Sequence, residues 1–263
     1  MANIRETDAI VQVVRVFSDS NVQHVATNIN PADDIATINT ELVLADLQTV
    51  DNRLAKVGKD SKQQDMASAL RQAREVLDNG FTLYGSGVGV ELLRELHLLT
   101  VKPFIYVFNV DESDLQNHSL RSEMQILVAP AEAVFICAKI EAELSELDSA
   151  DAAELLNELG QSESGLTGLV KAGQRTLGLQ SFLTGGPKEV RAWTIPEGTK
   201  APQAAGVIHT DFEKGFIKAE VVSYSDLVGA GSLTAARSAG KARLEGKDYI
   251  MKPDDVVEFR VNT

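Results

Sequence analysis

The sequence predicts an α/β protein with a parallel sheet and a helical insertion, followed by a smaller α+β domain. Three short apolar runs, at residues 8–17, 104–108 and 133–139, are separated by helical patterns. This alternation is typical of a parallel sheet whose strands are joined by helices. From about residue 180, short strands and glycine turns replace the long helices, which indicates a second domain of a different class.

At 263 residues, the chain is long enough for two or three domains with adequate cores. Hydrophobic residues make up 44% of it, yet no apolar run approaches the roughly 18 residues that a membrane span needs. The first residues also lack the apolar core of a signal peptide. We therefore expect a cytoplasmic protein with no membrane partner.

The net charge of −13 is concentrated in the first two thirds of the chain. Residues 1–179 carry 14 Lys and Arg against 27 Asp and Glu, whereas residues 180–263 carry 11 of each. An acidic body disfavours binding to a phosphate backbone. We expect no sequence-specific DNA binding, and we expect any contact with RNA to lie in the C-terminal part.

The cysteine and histidine content excludes several kinds of site. Cys137 is the only cysteine, so it cannot form an internal disulfide or a cysteine-based zinc site. The four histidines show no metal-ligand spacing, and we expect no structural metal. Cys137 itself is expected to be a small buried residue rather than a nucleophile, because no histidine accompanies it in its motif.

The first elements predicted are a strand and a pair of helices. Residues 8–17 are rich in β-branched side chains and predict the strand. Residues 34–56 repeat apolar side chains at helical spacing and predict an amphipathic helix. A second helical pattern at residues 66–77 closes at Asn79-Gly80. The break between the two helices is short, so they should pair antiparallel.

The glycine-rich residues 85–89 resemble a nucleotide-binding loop only superficially. The third glycine of a G-x-G-x-x-G motif would fall on Val90. We therefore interpret this segment as a flexible turn that leads into a helix at residues 90–98.

The buried run at residues 104–108 predicts the strand that delivers polar side chains to a site. It follows Pro103 and ends in the sequence Asn-Val-Asp-Glu at residues 109–112. Ligands of open α/β sheets bind beyond the carboxyl ends of the strands. Asn109 and Glu112 are expected there, where an amide and a carboxylate can hydrogen-bond a flat heterocycle.

The remaining elements follow from the same patterns. In the first domain we predict a helix at 120–127, a strand at 133–139, and acidic helices at 141–159 and 166–177. In the second domain, which should begin near Leu179, we predict strands at 190–195, 216–224, 249–251 and 256–261, and helices near 201–208 and 233–242.

Several long motifs then resemble one known family, the YchF/Obg-like ATPases. Residues 189–195, 201–206, 208–216 and 245–250 closely resemble the C-terminal TGS domain of that family. Residues 3–10, 39–47 and 136–143 extend the resemblance over the whole chain.

The resemblance implies a P-loop NTPase architecture and its partners. Family members carry a helical coiled-coil arm inserted in the nucleotide-binding domain and end in a β-grasp, ubiquitin-like TGS domain. On this chain, residues 1–34 and 99–179 then form a partial nucleotide-binding (G) domain, residues 35–98 the arm, and residues 180–263 the TGS domain. The family binds and hydrolyses ATP in preference to GTP with Mg²⁺, and it associates with the ribosome, on the large subunit, or with RNA.

The resemblance also implies the base-binding residues, which are Asn109, Val110, Glu112, Cys137 and Ala138. Residues 109–112 stand where GTPases carry Asn-Lys-x-Asp, and residues 137–139 stand where they carry Ser-Ala-Lys. The aspartate of that motif accepts two hydrogen bonds from guanine, which the longer Glu112 would misplace. Adenine can instead be recognised by Asn109 and by the backbone at Val110. The alternative for these residues is an ordinary polar turn between a strand and a helix.

One departure from the family concerns the phosphates. A P-loop requires G-x-x-x-x-G-K-[ST], and the sequence does not contain it. Gly240-Lys241 and Gly246-Lys247 lack the rest of the motif, and the D-x-x-G match at residues 226–229 lies in the TGS region. We therefore expect an incomplete P-loop NTPase sheet, an N-terminally truncated family member, and no catalytic or metal-binding residue in this chain.

Two functions stay open at this point. The first is an ATPase whose activity depends on the phosphate-binding segment. The second is a non-catalytic adaptor that binds the ribosome or RNA through the arm and the TGS domain. Two smaller alternatives concern the TGS region: His209, Asp211 and Glu213 form either a metal or acid–base cluster or a fold-specific turn, and Trp193 is either a core residue or a stacking platform for RNA.

Overall fold

The computed structural model describes residues 2–18, 30–57, 61–186 and 189–262. The chain divides into two compact units, Met1–Thr176 and Leu177–Thr263. Over the described ranges, no helix combines the length and the apolar character that crossing a bilayer requires.

The first unit contains a three-stranded parallel sheet and helices around it. In chain order its elements are α1 (Ala2–Arg5), β1 (Ile10–Arg15), α2 (Pro31–Leu54), α3 (Ser61–Asp78), a 3-10 helix (Val90–Leu96), β2 (Phe104–Asn109), a 3-10 helix (Glu112–Asp114), α4 (His118–Val128), β3 (Glu132–Ile136), α5 (Ala138–Glu146), α6 (Ser149–Glu158) and α7 (Gly165–Leu177).

The sheet has the order β1-β2-β3, with β2 in the centre and both pairings parallel. Val107 of β2 lies opposite Val13 on one side and Val134 on the other. The prediction of a parallel α/β sheet is therefore confirmed. The carboxyl ends of all three strands lie at the same end of the sheet, which brings the loops after β1, β2 and β3 together.

The two faces of the sheet are packed differently. On one face Phe104, Tyr106 and Phe108 belong to the largest core cluster of this unit, together with residues of α2 and α4. On the other face Ile105 and Val107 pack with Ala172 of α7. The strand β1 lies at the edge of the sheet, where Val11 and Val13 remain 46% and 66% exposed.

The helices α2 and α3 pack antiparallel and share a separate core. Arg74 of α3 pairs with Asp51 of α2 at 2.8 Å, while Arg53 of α2 lies against Met66 of α3. The two helices therefore run in opposite directions. The core cluster between the helices includes Val50, Leu70, Ala73 and Leu77. The helix α2 begins three residues earlier than predicted, because Asn30 caps it and Pro31 occupies its first position.

A buried carboxylate ties α2 to the segment that enters β2. Asp46 is fully buried and accepts hydrogen bonds from the backbone N–H groups of Leu99 (3.0 Å) and Thr100 (2.7 Å). The Thr100 hydroxyl donates to it as well, and the Arg5 guanidinium lies 3.7 Å away. Because every oxygen of this carboxylate is paired, its burial fixes the helical pair to the sheet.

Two helix predictions in this unit were wrong in detail. The single acidic helix predicted at 141–159 is two helices, because Asp148 accepts hydrogen bonds from the N–H groups of Ala150 and Asp151 and caps α6. The same backbone hydrogen bonds, that of Asp151 first, lower the pKa of Asp148. The helix predicted at 90–98 is a 3-10 helix that ends at Leu96 and is followed by His97, whose φ is 47°.

The second unit is a five-stranded mixed sheet with short helices. Its elements are β4 (Leu179–Gly185), β5 (Val190–Pro196), α8 (Ala201–Ile208), α9 (Thr210–Lys214), β6 (Phe216–Ser223), α10 (Tyr224–Ala230), α11 (Leu233–Ser238), β7 (Arg243–Glu245) and β8 (Asp255–Val261). The strand order is β5-β4-β8-β6-β7, and β4 pairs with β8 in parallel while the other pairs are antiparallel. Phe182 and Ile195 pack with the small residues of α8 in its core.

The predicted strand at 249–251 is wrong. The structure forms only an isolated bridge there, between Lys200 and Ile250. The Tyr249 hydroxyl instead donates to the buried carboxylate of Asp255 at 2.9 Å. Four elements of this unit were not predicted, namely β4, α9, α10 and β7. The strand β4 begins where long helices give way to short strands in the sequence, and the other three elements are short.

Candidate functional site

A cavity of about 820 Å³ lies where the loops after β1, β2 and β3 meet. All five residues predicted to bind a base line this cavity. Among the described residues, the lining comprises Phe17, Ser18, Asn109, Val110, Asp111, Glu112, Ser113, Gln116, Cys137, Ala138, Lys139, Glu158 and Leu159. Residues from four separate segments thus meet at one place: three segments follow β1, β2 and β3, and the fourth is the end of α6.

Asn109, the last residue of β2, is held in a fixed orientation. Its side-chain oxygen accepts a hydrogen bond of 3.0 Å from the backbone N–H of Ala138. Its backbone carbonyl accepts from the N–H groups of Val16 and Phe17 at 2.9 and 3.1 Å. Since the described part of the chain supplies no acceptor for its Nδ2 group, that amide can donate to a ligand.

Val110 and Glu112 contribute differently from one another. The Val110 side chain is 1% exposed and packs in the core, and its N–H donates to the carbonyl of Ile136 at 2.8 Å. What Val110 can offer a ligand is therefore its carbonyl. Glu112 begins a 3-10 helix and is exposed, so its carboxylate can reach the mouth of the cavity.

Cys137 and Ala138 form the start of α5. Cys137 is buried and is the N-cap residue, and its carbonyl accepts from the N–H of Glu141. Ala138 is the first helical residue, a position whose N–H has no partner within the helix. That free donor is the one that Asn109 uses.

Eight of the described lining residues were not selected from the sequence, among them Phe17, Ser18 and Asp111. Phe17 is half-buried, and the Arg15 guanidinium lies over its ring at 4.5 Å from the centroid. Ser18 donates from its backbone N–H to the Asp111 carboxylate at 3.1 Å. The signal that could have found Phe17 is its place at the carboxyl end of a parallel strand, the same argument that selected Asn109.

The cavity carries an acidic rim. Among the described residues of the lining, three are acidic, Asp111, Glu112 and Glu158, and one is basic, Lys139. Such a rim disfavours a free anion and favours a neutral ligand that donates hydrogen bonds. Together, an amide donor, a backbone carbonyl, an aromatic ring and carboxylates suit a flat heterocycle with an exocyclic amine.

The other candidates from the sequence do not form a comparable site. His209 caps α9, because its Nδ1 accepts from the N–H of Asp211 at 3.2 Å. Trp193 packs against the core of the second unit, and its indole N–H donates to the Thr184 hydroxyl. The described residues hold no group of three or more His, Cys, Asp or Glu side chains that could bind a metal ion.

Comparisons with known proteins cover both units. A family model named YchF-GTPase_C, described as a protein of unknown function (DUF933), matches residues 179–262. A relative named "Ribosome-binding ATPase YchF" from Bacillus subtilis is 44% identical over 275 residues, which is 100% of this chain and 75% of the relative. A relative of the same name from Escherichia coli O157:H7 is 43% identical over 272 residues, with the same coverage.

Two solved structures are similar in fold. The YchF GTPase of Schizosaccharomyces pombe matches with a TM-score of 0.82 and 30% identity, over 98% of this chain and 74% of that one. A GTP binding protein from Pyrococcus horikoshii OT3 matches with a TM-score of 0.61 and 16% identity, over 99% of this chain and 80% of that one. The second likeness concerns the fold alone.

Proposed function

The chain belongs to the YchF family, and we propose that residues 109–112 and 137–138 form the part of a nucleotide site that recognises an adenine base. The observation that carries this proposal is the hydrogen bond between the Asn109 side chain and the Ala138 N–H. It turns the Asn109 amide toward a cavity of about 820 Å³, which exceeds the space that a purine needs.

The proposed contacts follow from the groups left available. The Nδ2 amide of Asn109 donates to N7 of the purine, an acceptor that adenine and guanine share. The carbonyl of Val110 accepts from the exocyclic amine of adenine, where guanine presents an oxygen. Glu112 disfavours guanine, because its carboxylate stands one methylene too far out to accept both guanine donors. Cys137 and Ala138 close the far side of the pocket.

These residues contact the base in the proposed site and make no contact with the phosphates. The relatives are named ATPases, and the S. pombe protein is named a GTPase. The 263 residues contain no G-x-x-x-x-G-K-[ST] motif, whose backbone and lysine bind phosphates. ATP, with GTP as the weaker ligand, is thus the nucleotide that the base pocket fits. Mg²⁺ accompanies the phosphates in P-loop NTPases, and no residue here is assigned to it.

We also propose a domain organisation for the chain. Residues 1–34 and 99–179 are the partial G domain, and residues 35–98 are a coiled-coil arm, which the separate core between α2 and α3 supports. Residues 180–263 are a TGS domain of the β-grasp class. In support, its central strand β8 is parallel to the neighbouring strand β4, and α8 packs its small residues against that sheet.

We also propose that the chain binds the ribosome in the cytoplasm, on the large subunit. Its relatives are named ribosome-binding, and the second unit lacks the acidic excess that would oppose contact with RNA. Co-sedimentation of the 263-residue chain with ribosomes tests this, and binding should weaken as salt rises. If the chain co-sediments equally with and without ATP, the adaptor function is favoured over an ATP-dependent one. Failure to co-sediment at low salt would contradict ribosome binding.

The base site is tested by titrating the isotopically labelled chain with ATP and GTP and recording amide chemical shifts. ATP should shift the amides of Asn109, Val110 and Ala138 at lower concentration than GTP does. The second unit serves as the internal control, because its amides should not respond. Equal responses to both nucleotides would remove the adenine preference, and no response in the cavity would remove the site.

A further inference from the structure

A long-range hydrogen bond joins the loop after β1 to the loop after β2. The carboxylate of Asp111 accepts from the backbone N–H of Ser18 at 3.1 Å and from the Ser18 hydroxyl at 3.4 Å. The two residues are 93 positions apart in the sequence. Both line the cavity that holds Asn109.

This use of Asp111 is unusual for its position. Asp111 is the N-cap residue of the 3-10 helix Glu112–Asp114, where an aspartate ordinarily accepts from its own helix. Its side chain makes no such capping bond. The carboxylate is committed to Ser18 instead, so its role is to hold a distant segment and not its own turn.

The segment that Asp111 holds contains Phe17. The N–H groups of Val16 and Phe17 both donate to the carbonyl of Asn109, and Ser18 donates to Asp111 immediately afterwards. These bonds attach three consecutive residues after β1 to Asn109 and Asp111 at the end of β2. The Phe17 ring lines the cavity. The backbone that carries it is fixed because the N–H groups of Phe17 and of Ser18 are both hydrogen-bonded.

We propose that Asp111 is a positioning residue that holds Phe17 as one wall of the base pocket. The inference rests on the proposed base site and adds to it a residue that does not itself contact the ligand. An aromatic wall contacts any purine through its π-face. Asp111 therefore sets the affinity for purines in general, whereas Glu112 sets the choice between adenine and guanine.

The electrostatic effect of Asp111 has the opposite sign, which makes the inference testable. Removing a carboxylate near the site of a polyanionic ligand should by itself strengthen the binding of ATP. If Asp111 positions Phe17, removing its side chain should weaken binding. Asp111→Asn removes the charge and keeps an oxygen that can accept from Ser18, so it is the matched control for Asp111→Ala.

The experiment measures adenosine, ATP and GTP affinities of the 263-residue chain by amide chemical shift titration. Asp111→Ala should weaken all three by about three- to tenfold, the range of one net hydrogen bond, and leave the ratio of ATP to GTP affinity unchanged. Asp111→Asn should bind within about twofold of the unmodified chain. Amide shifts of Val107 and Val134 in the ligand-free variants show whether the sheet is intact.

The outcomes separate this inference from the proposed function. Unchanged or tighter binding by Asp111→Ala, or equal weakening in Asp111→Asn, overturns the positioning role. Asn109→Ala is measured in parallel and should lose binding in either case. If the unmodified chain binds none of the ligands, or if Asn109→Ala binds normally, the base site itself is wrong and the inference falls with it.

Discussion

The side-chain oxygen of Asn109 lies 3.0 Å from the backbone nitrogen of Ala138, which donates its hydrogen to it across 29 residues of sequence. The bond connects the end of β2 to the start of α5. It uses a donor that the helix leaves unpaired and fixes which end of the Asn109 amide faces the cavity. The proposed adenine recognition depends on this orientation.

A proline at Ala138 removes the donor with little change to the helix. Ala138 is the first residue of α5, where proline is tolerated, and Cys137 before it already has the extended backbone that proline requires. The Asn109 side chain should then turn away, because the proline ring occupies its place. We expect Ala138→Pro to weaken adenosine binding about tenfold and to cost about 1 kcal/mol of stability.

The matched control is Ser149→Pro, at the first position of α6. This change also replaces an N–H that has no partner within the helix, and the residue before it, Asp148, is likewise extended. Adenosine affinity, measured by chemical shift titration, should be unaffected. Equal loss of affinity in both variants would mean that proline acts through the helices and not through Asn109.

Shortening Glu112 should restore part of a guanine site. Glu112→Asp places the carboxylate where it can accept from both guanine donors, so the ratio of GTP to ATP affinity should rise about tenfold. Glu112→Gln keeps the length and loses the charge, and its ratio should not rise. A lysine at Val110 cannot serve as a further test, because that side chain is buried. An unchanged ratio in Glu112→Asp would remove Glu112 from base selection.

Two glycines of α7 should respond oppositely to alanine. A Cβ atom at Gly165 would lie 2.5 Å from Ile136 Cγ2 and 2.9 Å from Glu141 Oε1, whereas a Cβ at Gly168 meets nothing within 4 Å. We expect Gly165→Ala to lower the free energy of unfolding by about 1–3 kcal/mol. Gly168→Ala should raise it by about 0.5–1 kcal/mol through helix propensity.

Hydrogen exchange of the Val107 and Val134 amides in the sheet measures both changes. The amides of the second unit provide the reference, since neither glycine belongs to that unit. Similar shifts of the same sign in the two variants would show that the close packing of Gly165 against β3 and α5 does not limit stability.

The stability of the second unit should depend on pH through Tyr249. Burial, and then the hydrogen bond to Asp255, raise the pKa of Tyr249 from 10.0 to about 12. The folded state therefore favours the protonated phenol. Its contribution to stability is complete below pH 10 and is lost as the pH rises toward about 12.

Urea unfolding followed by Trp193 fluorescence measures this, because Trp193 is the only tryptophan and lies in the second unit. Between pH 9 and the folded pKa of about 12, the midpoint should fall more steeply in the unmodified chain than in Tyr249→Phe. Lysine titration affects both chains alike and cancels in the comparison. Parallel pH profiles would exclude Tyr249 as the responsible group.

The parts of the fold that could be predicted are those with strong local patterns. The apolar run of β2 and the helical spacing of α2 and α3 were each sufficient, because burial dictates the residue types in them. The position of the cavity beside the loop after β2 could be predicted for a different reason, since ligands generally bind at the carboxyl ends of parallel strands.

The parts that could not be predicted depend on specific side-chain contacts that leave no periodic pattern in the sequence. Asp46 stands in a helix like any exposed acid, and only its contacts with Thr100 reveal a buried anchor. Phe17 could be placed by its position after β1, but the contact of the next residue, Ser18, with Asp111 has no local signal in the sequence. Tyr249 has the residue type of a strand, yet its hydroxyl is committed to Asp255. In each case the partner is far away or has no periodic signal.

The most direct test of the base site is a crystal structure of the chain with bound ATP. The purine should lie in the cavity between Phe17 and the loops at Asn109 and Ala138, with N7 about 3 Å from Asn109 Nδ2. The exocyclic amine should face the carbonyl of Val110. A purine bound elsewhere, or one in the cavity with no contact to Asn109 Nδ2, would contradict adenine recognition by these residues.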